Sequence, residues 1–190
     1  MSTAATPYGA EPIGTLSSSG SFTGKVRHIP IVTTEATAIF YGDFVKLISG
    51  GTVSKSAITT SVPAGTVGIF MGCFYTDPTT KQPTYSQYWP AANAATDAVA
   101  YVADDPFLVF KMQADESLAA TKVGLNCSGV STAGTAAIGR SRNALDGSSA
   151  ATTNTLPFRI LELVTAGDAY TEAHVTWLPG KHAYLTILGV

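Results

Sequence analysis

The stretch that decides the fold is Val67–Pro90, VGIFMGCFYTDPTTKQPTYSQYWP, the densest aromatic cluster and the sharpest set of turn signals in a chain of 190 residues. In its first arm Val67, Ile69, Met71, Cys73 and Tyr75 alternate with Gly68, Phe70, Gly72 and Phe74, the period of two that a strand imposes. Both faces are apolar or small. The arm is therefore either a strand buried on two sides, or one with a face in its own core and a face against a neighbouring subunit. Thr76-Asp77-Pro78 ends it, because proline fixes φ and withholds a donor while the Asp carboxylate accepts from backbone amides just ahead. A second arm starts near Thr84, carries Tyr85, Tyr88 and Trp89, and stops at Pro90, so the stretch reads as a hairpin.

Upstream, Phe40–Ile48 (FYGDFVKLI) reads as a strand that ends at the Ser49-Gly50-Gly51 turn, with Thr52–Ile58 returning beside it. Lys25–Val32 (KVRHIPIV) has Pro30 within it and belongs at a sheet edge. Downstream, AANAATDA is a loop or one helical turn, and Val99–Ala103 and FLVFKMQ are two strands joined by a second Asp-Pro turn, Asp104-Asp105-Pro106. Asp115–Lys122 (DESLAATK) is the best helix candidate, with Asp115 placed to cap it. The Gly/Ser/Thr/Ala stretch at 124–155, around Arg140, Arg142 and Asp146, predicts an exposed excursion with one short strand at most. FRILELV and AHVTWL are late strands, and the apolar tail AYLTILGV predicts a last strand paired into the sheet.

These readings give an all-β fold: a single β-barrel or β-sandwich of about eight to ten short strands with one or two short helices, occupying residues 25–190. Residues 1–24 read as an extended arm, in which Tyr8, Ile13, Leu16 and Phe22 are isolated on a Ser/Thr/Gly ribbon. That composition alone does not offset its ordering entropy, so the arm is a disordered tail or a segment that orders across a partner. Charged residues are 13% of the chain, against a typical value of about 25%, and the surface repels its neighbours weakly. With 11 basic and 13 acidic residues the net charge is −2, which argues against a nucleic-acid partner held by counterion release. No run approaches the roughly 20 apolar residues that span a bilayer, and the N-terminus has neither a basic n-region nor an apolar h-region, so no membrane partner and assembly in the cytoplasm are expected.

The strings GIFMGCFYTDP (68–78), Lys81, Pro83, YSQYWPA (85–91), AVAYVADDP (98–106) and LPFRILELV (156–164) resemble a family of tailed-bacteriophage virion proteins, the capsid decoration or cement proteins. The resemblance runs from about Asp43 to the C-terminus. It implies a β-rich domain on the outer surface of the phage head, assembled in the host cytoplasm, stabilising the shell by binding the major capsid protein and itself, as a homotrimer, with no chemistry and no cofactor. The candidate interface residues are Tyr8, Ile13 and Phe22 of the arm and Tyr75, Tyr85, Tyr88 and Trp89 of the central stretch, since Tyr and Trp bury much area while keeping a polar handle. The same four central aromatics also suit the closed end of a barrel. A rival reading is a fibre-like or carbohydrate-binding β-sandwich adhesion module, which requires a solvent-facing aromatic patch.

Catalytic and metal motifs fail on spacing. Gly20–Val26 has a serine at position 19 and a valine where a phosphate loop needs a glycine and a hydroxyl. His28, His174 and His182 show no metal-ligand spacing, Cys73 and Cys127 no zinc or disulfide pattern, and no Gly-x-Ser-x-Gly elbow occurs. Asp104 with Asp105, and Asp115 with Glu116, are adjacent carboxylates, which a strand would point to opposite faces; turn and capping duties explain them.

Overall fold

A computed structural model describes residues 3–16 and 18–186, with the backbone alone at 18–20. Among the described residues the chain forms fifteen strands: β1 (Glu11–Thr15), β2 (Ser18–Ser21), β3 (Arg27–Pro30), β4 (Ile39–Phe40), β5 (Phe44–Ile48), β6 (Thr52–Ser56), β7 (Thr66–Thr76), β8 (Pro83–Ser86), β9 (Tyr88–Trp89), β10 (Val99–Ala103), β11 (Leu108–Gln113), β12 (Asn126–Val130), β13 (Ala144–Ala151), β14 (Phe158–Leu163) and β15 (Glu172–Trp177). The fold is all-β, and every pairing between named strands is antiparallel. Helical structure is limited to 3-10 turns at Ala120–Lys122 and Ala183–Leu185.

One sheet runs β3-β10-β7-β5-β6, with β8 added to β7. It curls until Ile31, just past β3, bridges Val53 of β6, and the Val32 amide donates to the Val53 carbonyl at 3.0 Å. Val45, Val53, Val67, Phe70, Val102 and Trp89 fill the resulting barrel. The other sheet runs β13-β12-β14-β15-β11-β1-β2 and curls in the same way, with Ala114 past β11 bridging Leu145 of β13. Its core holds Phe110, Phe158, Ile160, Val175 and Trp177, joined by Phe44 and Ile69 from the first sheet. Phe44 lies 5.4 Å from Phe158 and 5.3 Å from Trp177, ring to ring. Each such fully buried side chain contributes about 2–3 kcal/mol of hydrophobic stabilisation.

The central strands serve both cores. Phe44 and Val45 of β5, Ile69 and Phe70 of β7, and Ala103 and Val102 of β10 enter the two interiors alternately. The two-sided burial expected of the central stretch is met inside this chain. Its face assignment is not, because β7 is bulged twice: one residue is added opposite Val45/Lys46 and another opposite Ala100/Val102. Each bulge flips the alternation, so Val67, Cys73 and Tyr75 enter the barrel while Ile69 and Met71 face the other core. Gly68 sits at the first bulge, where a Cβ would stand 2.2 Å from the Ala103 carbonyl oxygen. Only glycine lets β10 approach there.

Four further expectations are corrected. Much of the anticipated arm belongs to the chain's own sheet: β1 pairs with β11 and β2 with β1, and just before them Ala10 is buried while the Gly9 and Ala10 amides donate to the Asn143 and Gly42 carbonyls. Only the middle of the stretch 124–155 is an exposed loop, around Ile138; its flanks supply β12 and β13, with Cys127, Ser128 and Leu145 buried. Its small residues are needed for close passage; a Cβ at Gly129 would meet the Ile58 carbonyl at 3.0 Å. DESLAATK forms a single 3-10 turn because its groups are taken by tertiary contacts, the Asp115 carboxylate accepting from the Gly147 amide and the Leu118 amide donating to Thr171. The tail begins as a 3-10 turn at Ala183–Leu185 rather than a strand, and residues 187–190 of that expectation lie outside the described residues. The extra short strands from Gly/Ser-rich segments explain why fifteen appear where about eight to ten were expected.

Candidate interaction surface

The central hairpin forms as β7 and β8, then departs from a simple second arm. Tyr85 pairs with Phe74, but after Ser86 the chain turns away and β9 pairs with β4, placing Tyr88 opposite Phe40 and Trp89 opposite Ile39. That switch separates the four aromatics. Tyr75 and Trp89 are buried in the barrel with rings 5.3 Å apart, edge to face. Tyr88 is half-buried and stacks on Phe40 at 5.4 Å, while Gly139 of the 131–143 loop closes over it. Tyr85 alone is open, 75% exposed.

Of the three candidates in the N-terminal segment, Tyr8 is half-buried and its hydroxyl donates to Glu172 Oε1 at 2.9 Å. Burial, and then the Glu172 carboxylate, hold that phenol well above its ordinary pKa, so it stays protonated. Ile13 is half-buried on β1, and Phe22 is half-buried against the core of the seven-stranded sheet. Six of the seven residues are thus engaged within the chain.

Tyr85 is the outermost member of a surface the sequence did not reveal. Register aligns Pro30, Val99, Phe74 and Tyr85 in one row across β3, β10, β7 and β8, with His28 and Tyr101 in the next. The Phe74 and Tyr85 rings lie 4.9 Å apart, and those of His28 and Tyr101 4.7 Å apart. Desolvation, then the nearby Tyr85 phenol, push the Tyr101 pKa up. Ala100 and Val102 between them point inward to the barrel core, so this row is the outer face of the sheet. On this face Tyr85, His28 and Pro30 are exposed, Phe74 and Tyr101 are half-buried, and no ion pair is formed among the described residues.

Several carboxylates, both cysteines and the histidines make structural contacts. Asp43 is fully buried and its carboxylate accepts from the Phe40 amide, Ser141 Oγ, Asn143 Nδ2 and Lys55 Nζ, the last at 2.8 Å. Glu35 accepts from Thr37, Ser54 and the Lys55 amide; these hydrogen bonds outweigh the opposing desolvation and hold its pKa below the usual range. Asp104 pairs with Arg27 at 2.9 Å and accepts from Tyr184, and Asp105 accepts from the Phe107 amide. Cys73 and Cys127 are free and buried, and burial pushes each thiol up to about 12, which keeps both out of thiolate chemistry. His174 pairs with Glu162, His28 packs on Tyr101, and His182 lies in the core. No cluster of three metal-ligating side chains occurs among the described residues. No family model, no curated protein and no solved structure matches this chain.

Proposed function

We propose that this protein is a non-enzymatic virion protein that decorates the outer surface of a phage head and stabilises contacts between major capsid subunits. The observation that carries the reading is the outer face of the six-stranded sheet. Exposed Tyr85 and His28 pack on half-buried Phe74 and Tyr101, an aromatic patch outside the two cores. Such a patch has the composition of an interface centre. A low density of surface charge suits a molecule that works packed against neighbours. Each bound copy stabilises the assembled shell by mass action. The homotrimer implied by the resemblance belongs to the same proposal and is read by sedimentation equilibrium.

The test is co-sedimentation of the purified protein with undecorated heads of the phage that encodes it. Tyr85→Ala is expected to weaken binding by about 30-fold, equivalent to about 2 kcal/mol, with the melting temperature unchanged because the side chain is open to solvent. Wild-type protein that stays in the supernatant refutes decoration. The exposed ring of Tyr85 beside Tyr101 also favours one other reading, a carbohydrate-binding adhesion module of the virion. Saturable binding on a glycan array, lost with Tyr85→Ala and accompanied by no binding to heads, selects it instead.

A further inference from the structure

We infer that a second surface, the groove between residues 5–8 and the 135–142 loop, is a docking site for an acidic segment of a partner protein. The groove has a volume of about 480 Å³ and is lined on one side by Thr6, Pro7 and Tyr8 and on the other by Ile138, Arg140 and Arg142. It shares no lining residue with the aromatic row, and the inference stands whether or not the protein decorates a shell.

Arg140 is the centre of it. Its guanidinium lies 5.2 Å from the Tyr41 ring centroid and 5.8 Å from that of Tyr8, held by the electron-rich faces of both. The backbone beneath is fixed on both sides: Arg140 bridges Tyr41 and Thr135, and the Ser141 amide donates to the Tyr41 carbonyl at 2.9 Å. A planar fork presented this rigidly loses little entropy when it takes a carboxylate in two parallel hydrogen bonds.

Its charge is answered only loosely within the chain, and the groove is lined by two arginines and no carboxylate. The nearest carboxylate oxygen, Glu11 Oε1, is 3.6 Å away, beyond hydrogen-bonding distance. Glu11 also faces Lys111 at 3.7 Å, and Glu172 divides between Lys111 at 3.8 Å and the Tyr8 hydroxyl. Arg142 is exposed and makes no ion pair among the described residues. The groove lining thus carries two positive charges and no negative one, in a protein whose net charge is −2. Ile138, 61% exposed at the rim, adds an apolar contact beside the two guanidinium groups. The chemistry that fits is a Glu or Asp side chain on Arg140, a second acid on Arg142 and an aliphatic neighbour on Ile138. A phosphate backbone fits less well, since two cations and an overall negative charge give little counterion release.

The probe is a fluorescein-labelled octaglutamate peptide titrated into the full chain at low ionic strength, read by polarisation. Saturable binding is expected, weakened about tenfold by Arg140→Gln and about threefold by Arg142→Gln, and abolished at high salt. Arg142 is exposed and makes no ion pair among the described residues, so its variant keeps the fold and remains a valid test even where Arg140→Gln alters the loop. Failure of the peptide to bind overturns the inference, as does equal binding by octaglutamine or by both variants. Displacement by an oligothymidylate of equal charge at lower concentration also overturns it, assigning the groove to phosphate. None of these results depends on binding to heads.

Discussion

His182 shows how one side chain ties the end of the described chain to the core. It is fully buried, its ring packs edge to face on Trp177 at 5.6 Å and on Tyr184 at 5.0 Å, and Nδ1 accepts from the Tyr184 amide at 3.2 Å. An acceptor nitrogen cannot also carry a proton, so protonation breaks that bond and buries a charge. Desolvation lowers the pKa below the ordinary 6.5, opposed by the Val67 backbone and by Asp104 and Asp105. The unfolded chain then binds more protons than the folded one between the folded pKa and about 6.5, so stability rises with pH across that window. The melting temperature should be level above about pH 7 and fall as the pH drops below about 6.5. His182→Phe should flatten that part of the profile, measured by thermal melts in buffers of constant ionic strength. A variant with the same slope as the wild type would move the pH dependence to other groups. The neighbouring sequence does not mark His182 as buried, because its burial depends on β7, far back along the chain, as well as on nearby Trp177.

Among the elements, β7 governs the arrangement. Its length, aromatic content and Asp-Pro stop were legible, and so was its pairing with the strand that begins near Thr84. The assignment of faces was not, because alternation counts residues and a bulge inserts one without announcing it. The glycines at 68 and 72 were the available signal, since glycine inside a strand marks a bulge or a close approach. Gly68→Ala tests this reading. The added methyl would meet the Ala103 carbonyl at 2.2 Å, so β10 must move away, and a loss of about 2–4 kcal/mol is expected in urea unfolding. A loss near zero would mean that β10 yields freely there. The N-terminal strand was misread for a related reason: Glu11–Thr15 has few apolar residues, and its stability comes from the ladder that β11 offers rather than from its own pattern.

For the molecule as a whole, an all-β class followed from strand periodicity and turn spacing, while the two curled sheets did not, since closure rests on bridges such as Ile31 to Val53 and Ala114 to Leu145. The candidate surface was legible at one residue. Tyr85 was singled out with six others, and its partners Phe74, Tyr101 and His28 became neighbours only through cross-strand register. Conversely, Tyr75 and Trp89 carry the same chemistry as Tyr85 and are core residues, because the bulges of β7 turn Tyr75 inward and the switch from β8 to β9 does the same for Trp89. β5, β7 and β10 act as a wall common to both interiors, and a wall of this kind cannot melt for one side alone. Calorimetry should accordingly record a single endotherm whose van't Hoff and calorimetric enthalpies agree. Two resolved peaks would count against it. Damage to either chamber is then felt as a loss of the entire particle, and no half-folded remnant survives to expose sticky β edges.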